Sequence, residues 1–271
     1  MKRRQGKLFS KCCFTVLTSI IFLATPFQVE ASPTSLDQSG TVIVESNGES
    51  EIVDPENPDD IADPGDGPGT EGPLRIDYVS SLDFGRTKLS DTNRTYPALA
   101  QQFLGEIGPR GSFIQITDQR TNSTGWTLQV KQNHQFRNTV IQQASEQELS
   151  GAVLSLDKGW ANGSGNSGSP TVTRETIALN SIGTAYELAT ATAGNGRGVW
   201  TIAFGASETN SNNMENTLSP VVDAAGNAVK DEFSGKPAYH NSAISLTIPT
   251  ATKIYPVQYA TELTWILAAL P

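Results

Sequence analysis

The residues of this 271-residue chain suited to acid–base or metal chemistry are few. There are two histidines, His134 and His240, far apart in sequence and each in a polar context. Two isolated imidazoles do not make a metal site, which needs three or four converging ligands. The chain has no H-E-x-x-H, no G-x-S-x-G and no thiol outside Cys12 and Cys13. A glycosidase needs two carboxylates flanking one bond. Nothing in the spacing of Asp77, Asp83 and Asp118 singles out such a pair. The glycine-rich stretch GWANGSGNSGSP (159–170) lacks a following G-K-[ST] and opens no helix, so it does not read as a phosphate loop. The expectation is a protein that is not an enzyme and needs no cofactor or metal.

Aromatic side chains offer the other chemistry. Trp126, Trp160, Trp200 and Trp265 all lie in the part read as folded, and two of them stand in the same Trp-x-Leu pattern, Trp126-Thr127-Leu128 and Trp265-Ile266-Leu267. An indole face can stack on a sugar ring, and neighbouring polar groups such as Asp118 and Arg120 can bond its hydroxyls. The same indole on the apolar face of a strand fills a core. Leu128 and Leu267 lie two residues beyond their tryptophans, so in a strand each shares its tryptophan's face. Leucine has no reason to face a polar glycan, which favours the core role. As binding candidates we take Trp126, Leu128, Trp265 and Leu267 as anchors, structural or contacting, with Asp118 and Arg120 beside them.

The elements that must position these residues read as strands. Apolar residues alternate in LRIDY (74–78), SFIQITD (112–118), WTLQVK (126–131), VWTIAF (199–204) and AISLTIP (243–249), and from Tyr259 to Leu267. AISLTIP is a plausible edge strand for docking a partner. Turn-rich stretches separate the runs, and only residues 96–105 and 142–151 favour a short helix or turn. The expected fold is all-β, a β-sandwich or two packed β subdomains with long polar loops.

Charge and composition divide the chain. Residues 1–31 carry five bases ahead of an apolar run from Cys12 to Phe27, the form of a signal peptide cleaved after Ala31. The run is short for a membrane anchor, so no membrane insertion is expected after cleavage. Both cysteines would leave with it. Residues 32–72 hold eleven acids, no base and abundant Pro and Gly, which reads as a disordered acidic linker. Residues 73–271, with sixteen acids and fourteen bases, form the folded domain. No basic footprint for nucleic acid is present.

These parts together resemble the WxL-domain surface proteins of low-GC Gram-positive bacteria. The resemblance rests on SLDFG (81–85), TKLSDTNRTYPA (87–98), ITDQRTNSTGWTLQVKQ (116–132), GVWTIAFG (198–205) and SLTIPTATKIYPVQYATELTWILAALP (245–271). It implies one domain defined by both Trp-x-Leu segments, secreted and held non-covalently on peptidoglycan. It also implies partners: a WxL-interacting protein and a second, wall-anchored surface protein. The alternative is a structural subunit that docks such a partner rather than the wall. In two places the chain departs from the family pattern. Asp118-Gln119-Arg120-Thr121-Asn122 replaces the usual Asp-x-Arg-Gly-Thr, and Ile266 stands where Thr is common. Ile266 would face away from Trp265, which implies that both faces of the last strand are covered. With no covalent sorting signal after Pro271, retention would rest on the folded domain.

Overall fold

The computed structural model describes residues 34–37, 51–87, 90, 92, 94–164 and 167–271. The expected signal peptide (1–31) lies outside them. Among the described residues no helix is long and apolar enough to cross a membrane.

The fold is all-β, three antiparallel sheets packed together. The first sheet joins β1 (Thr34–Asp37), β5 (Trp126–Gln132), β8 (Thr171–Val172), β10 (Ala185–Ala191) and β14 (Leu263–Ala269), in the order β1-β14-β5-β10-β8. The second joins β2 (Leu74–Val79), β4 (Ser112–Asp118), β7 (Gly159–Gly163) and β11 (Gly198–Phe204), in the order β2-β4-β11-β7. The third is built on β13 (Tyr239–Thr247), which pairs with β3 (Thr95–Leu99) along one edge and with β12 (Leu218–Pro220) and then β6 (Val153–Leu156) along the other. Beyond β6 lies β9 (Ile177–Leu179).

Period-two patterning explains the main core. Ile114 and Ile116 of β4, Ile202 and Phe204 of β11, Leu154 and Leu156 of β6, and Ile244 and Leu246 of β13 meet the inward residues of β5 and β14 in one cluster. Only one face of an alternating strand is apolar, so the three sheets must turn those faces together to remove them from water.

Three expectations need correction. AISLTIP is not an edge: β13 is paired on both sides. Residues 96–99 belong to strand β3, because Tyr96 and Ala98 put their side chains into the core at period two. The short helix or turn expected in residues 142–151 is present as a 3-10 turn, Ala144–Glu146.

The third correction concerns the acidic segment. Thr34–Asp37 is a strand, and residues 51–72 pack on the outer face of the second sheet rather than forming a loose linker. That face carries a second cluster, Tyr78, Phe113, Trp160 and Ala203, which needs a cover. Ile52 and Ala62 supply apolar contacts to it. Asp54, at 2% exposure, receives a two-pronged bond from Arg110, Nε to Oδ1 at 2.8 Å and Nη2 to Oδ2 at 2.7 Å. Glu56 accepts from the Ser207 N–H and hydroxyl, both at 2.6 Å. Burial opposes charge on Arg110, but Asp54 and Glu56 outweigh it and raise its pKa. Composition failed here because the apolar area lies on the sheet, not in the segment, and because two of its acids have buried partners.

Candidate functional site

The two Trp-x-Leu segments occupy adjacent strands. β14 runs antiparallel to β5, with Leu267 opposite Leu128, Trp265 opposite Val130 and Ala269 opposite Trp126. This pairing brings residues 128 and 267 together, although 139 positions separate them. All four motif side chains turn to the same face and enter the main core. Trp126 and Leu128 are 0% exposed, and Trp265 and Leu267 are 2% exposed. In this arrangement all four fill the core and none presents a surface to solvent.

The two indoles are held differently. The Trp126 Nε1–H donates to the carbonyl of Gly196, at 3.1 Å, in the turn before β11. The Trp265 Nε1 is buried and has no hydrogen-bond partner among the described residues. It faces a small gap between the sheets lined by Val79, Ser112, Phe204 and Ile244, and the Ser112 hydroxyl there is likewise unpartnered. Trp160 and Trp200 donate to the carbonyls of Gly205 and Arg197, both at 3.0 Å.

Asp118 and Arg120 set the entry to β5. Asp118, at the end of β4, is 1% exposed. It accepts from Arg120 Nε at 2.9 Å and Nη2 at 2.8 Å, from the Ser123 hydroxyl at 2.7 Å, and from the Arg120 N–H at 3.1 Å. Burial works to raise the Asp118 pKa, but these donors and the adjacent guanidinium outweigh it and hold the carboxyl below its ordinary range. Arg120 also reaches the Gly125 carbonyl at 2.9 Å. Gly125 has φ +97°, and a Cβ there would overlap the Ala191 backbone, so only glycine admits the turn into Trp126. The Thr124 hydroxyl donates to the Leu270 carbonyl and ties this loop to the end of β14. The altered loop sequence thus still clamps the first motif strand to the last one. The opposite face of β14 is partly covered, with Thr264 buried and Ile266 half-buried. The strand begins at Leu263, so Tyr259 and Thr261 lie in the preceding loop.

The residues weighed for acid–base chemistry do not converge. Asp77 accepts from Arg75, Gln115 and Thr117, while Asp83 caps the Gly85 N–H at 2.8 Å. His134 lies just after β5, its Nδ1 3.0 Å from the Gln135 carbonyl. His240 lies on β13, where burial lowers its pKa. Among the described residues no group of three or more His, Cys, Asp or Glu side chains is placed to hold a metal ion.

Sequence reading missed the polar groups that organise the second sheet. Arg110, Asn162 and Ser207 hold the acidic segment from three separate loops and strands. No local pattern in the sequence signals these contacts, because the partners lie about fifty to one hundred and fifty positions apart.

No curated protein and no solved structure matches the chain. The model of the WxL family, described as WxL domain surface cell wall-binding, matches residues 31–271 and so takes in the acidic segment as well as both motif strands. The chain belongs to the WxL-domain family of cell-surface, wall-binding proteins.

Proposed function

We propose that this protein is exported by residues 1–31 and attaches non-covalently to the Gram-positive wall by binding peptidoglycan, as one component of a surface protein complex. The observation that carries the reading is the family match across residues 31–271. The burial of both Trp-x-Leu pairs refines it. The motif builds the domain, and recognition falls to the loops and strand faces that reach solvent. The test is sedimentation of the mature chain, residues 32–271, with peptidoglycan stripped of protein and attached polymers. The folded protein is expected in the pellet and the heat-unfolded protein in the supernatant. A folded protein that stays in solution removes direct peptidoglycan binding.

A second reading is a docking subunit that holds a WxL-interacting partner and meets the wall only through it. Exposed apolar residues favour it. Ile61, Leu104 and Phe233 are 62%, 41% and 46% exposed. Two of them lie close together, since the Leu104 N–H bonds the Asp63 carbonyl at 2.8 Å and the Phe233 ring covers Gly65. Under this reading sedimentation occurs only when the partner is added.

A further inference from the structure

Away from the motif strands, one cleft sets two cationic side chains on a rigid floor. It is a mainly polar cleft of about 150 Å³ lined by Lys158, Arg174, Gly205, Met214 and Glu215. Its floor is fixed. The Trp160 indole donates to the Gly205 carbonyl at 3.0 Å, and the Asn241 amide donates to the Phe204 carbonyl at 2.9 Å. The Thr217 hydroxyl donates to Asn241 Oδ1 at 2.9 Å and accepts from the Ala206 N–H at 3.1 Å. Asn241 and Thr217 are buried. Gly205 has φ +86°, and a Cβ there would overlap Thr217 and Asn241, so the network leaves no room for a side chain.

The charge sits on this floor. Lys158 follows β6 in the turn to β7 and has φ +52°, a left-handed conformation that a lysine adopts at a cost and a glycine does not. Its carbonyl accepts from the Gly205 N–H at 3.3 Å, which fixes the turn against the floor. Its ammonium meets the Glu215 carboxylate at 2.8 Å, with both side chains well exposed. Arg174 lines the same cleft and is exposed. Its Nη2 lies 3.6 Å from the Met214 sulfur, and no carboxylate pairs with it among the described residues. Two cations thus share one cleft in which Glu215, its lining carboxylate, touches Lys158, and Asp157 acts on the same ammonium from the preceding residue.

We propose that this cleft is an oxyanion site of the wall-binding domain, in which Lys158 and Arg174 grip a carboxylate or phosphodiester of the wall and Glu215 occupies the Lys158 position until the ligand displaces it. The proposal rests on the wall-attachment reading and names the ligand chemistry for it. A forked guanidinium beside a point-charge ammonium suits a group with two or three adjacent oxygens. The near-neutral balance of residues 73–271 fits this, because a local pair of cations, not a basic surface, would do the binding.

The test uses the mature chain and three variants, Arg174→Gln, Lys158→Gly and Glu215→Gln. Each is sedimented with polymer-stripped peptidoglycan, which offers carboxylates, and with walls that keep their phosphodiester polymers. Losing one charge-assisted contact is expected to weaken binding roughly five- to thirtyfold in Arg174→Gln and Lys158→Gly. Glu215→Gln is expected to tighten it a few-fold. The melting temperature should hold in Arg174→Gln and hold or rise in Lys158→Gly, because glycine relieves the left-handed turn. The wall preparation on which the loss occurs tells carboxylate from phosphodiester. Wild-type pelleting with unchanged pelleting of Arg174→Gln and Lys158→Gly overturns the cleft and leaves wall attachment standing. If the wild type pellets with neither wall, the attachment reading fails. Titration with inorganic phosphate and with acetate, read at the Gly205 and Lys158 amide resonances, then decides the cleft alone. Shifts that vanish in Arg174→Gln retain it, and no shifts overturn it.

Discussion

Replacing each motif tryptophan by phenylalanine separates what the two indoles do. Both substitutions remove the same atoms from buried sites, so the transfer losses are comparable. The hydrogen bonds differ. Trp126→Phe deletes a 3.1 Å bond and leaves the Gly196 carbonyl without that donor. A buried acceptor left unpaired costs about 1–3 kcal/mol. Trp265→Phe deletes a buried N–H that has no partner, so the substitution relieves a desolvated donor instead of creating an orphaned acceptor. The expected order is therefore Trp126→Phe less stable than Trp265→Phe, by about 1–3 kcal/mol. For a folded part of roughly 200 residues that is a gap of about 2–12 °C in melting temperature, at about 2–4 °C per kcal/mol. Urea unfolding followed by far-UV circular dichroism gives the same comparison free of heat-driven aggregation. Equal losses, or a larger loss at Trp265, would refute the assignment of different roles.

Three other perturbations bear on the loops around the motif. Arg110→Met strips the buried carboxylates Asp54 and Glu56 of their cation. Breaking a buried pair costs about 3–5 kcal/mol, and limited proteolysis should then cut within residues 51–66 before the rest of the domain. Asp118 has a folded-state pKa below its unfolded one, so its stabilisation is full above about pH 4 and is lost as pH falls through the lowered folded value. Acid unfolding of Asp118→Asn should therefore be shallower than that of the wild type in that window, from a lower starting stability at pH 7. Gly125→Ala should destabilise by several kcal/mol, since it combines a strained left-handed φ with overlap of the Ala191 backbone. A melt of that variant within about a degree of wild type would contradict the tight entry to β5.

The strands were legible because each is patterned for one buried face. SFIQITD, WTLQVK and VWTIAF appear as β4, β5 and β11 within a residue or two of their sequence limits. The pairing of β5 with β14 was legible as a repeated tripeptide, not as a contact, since nothing local fixes register between segments so distant in sequence. What composition misjudged was the acidic segment. A Pro- and Asp-rich stretch lacks its own core, but that criterion takes no account of apolar surface offered by another part of the chain. Phe113, Tyr78 and Trp160 provide that surface, and Arg110 neutralises the acids that would otherwise resist burial. AISLTIP was misplaced for a related reason: alternation reveals a strand's buried face but says nothing about whether its edges are paired.

The position of the motif also explains how a tripeptide can mark a wall-binding family without touching the wall. Trp126 and Trp265 enter one core from neighbouring strands, and that core also holds the inward faces of the other two sheets. Losing either indole costs about 3–5 kcal/mol, a large share of the 5–15 kcal/mol that holds a domain folded. A strand pair that joins the middle of the chain to its last residues closes the domain, and the Thr124 hydroxyl on Leu270 closes it at the rim. Surface residues carry no such constraint, so the loops can change their ligand while the core keeps its signature. Binding is therefore to be sought where exposed polar groups stand on a rigid floor, as Lys158 and Arg174 do above Gly205, and not on the residues that name the motif.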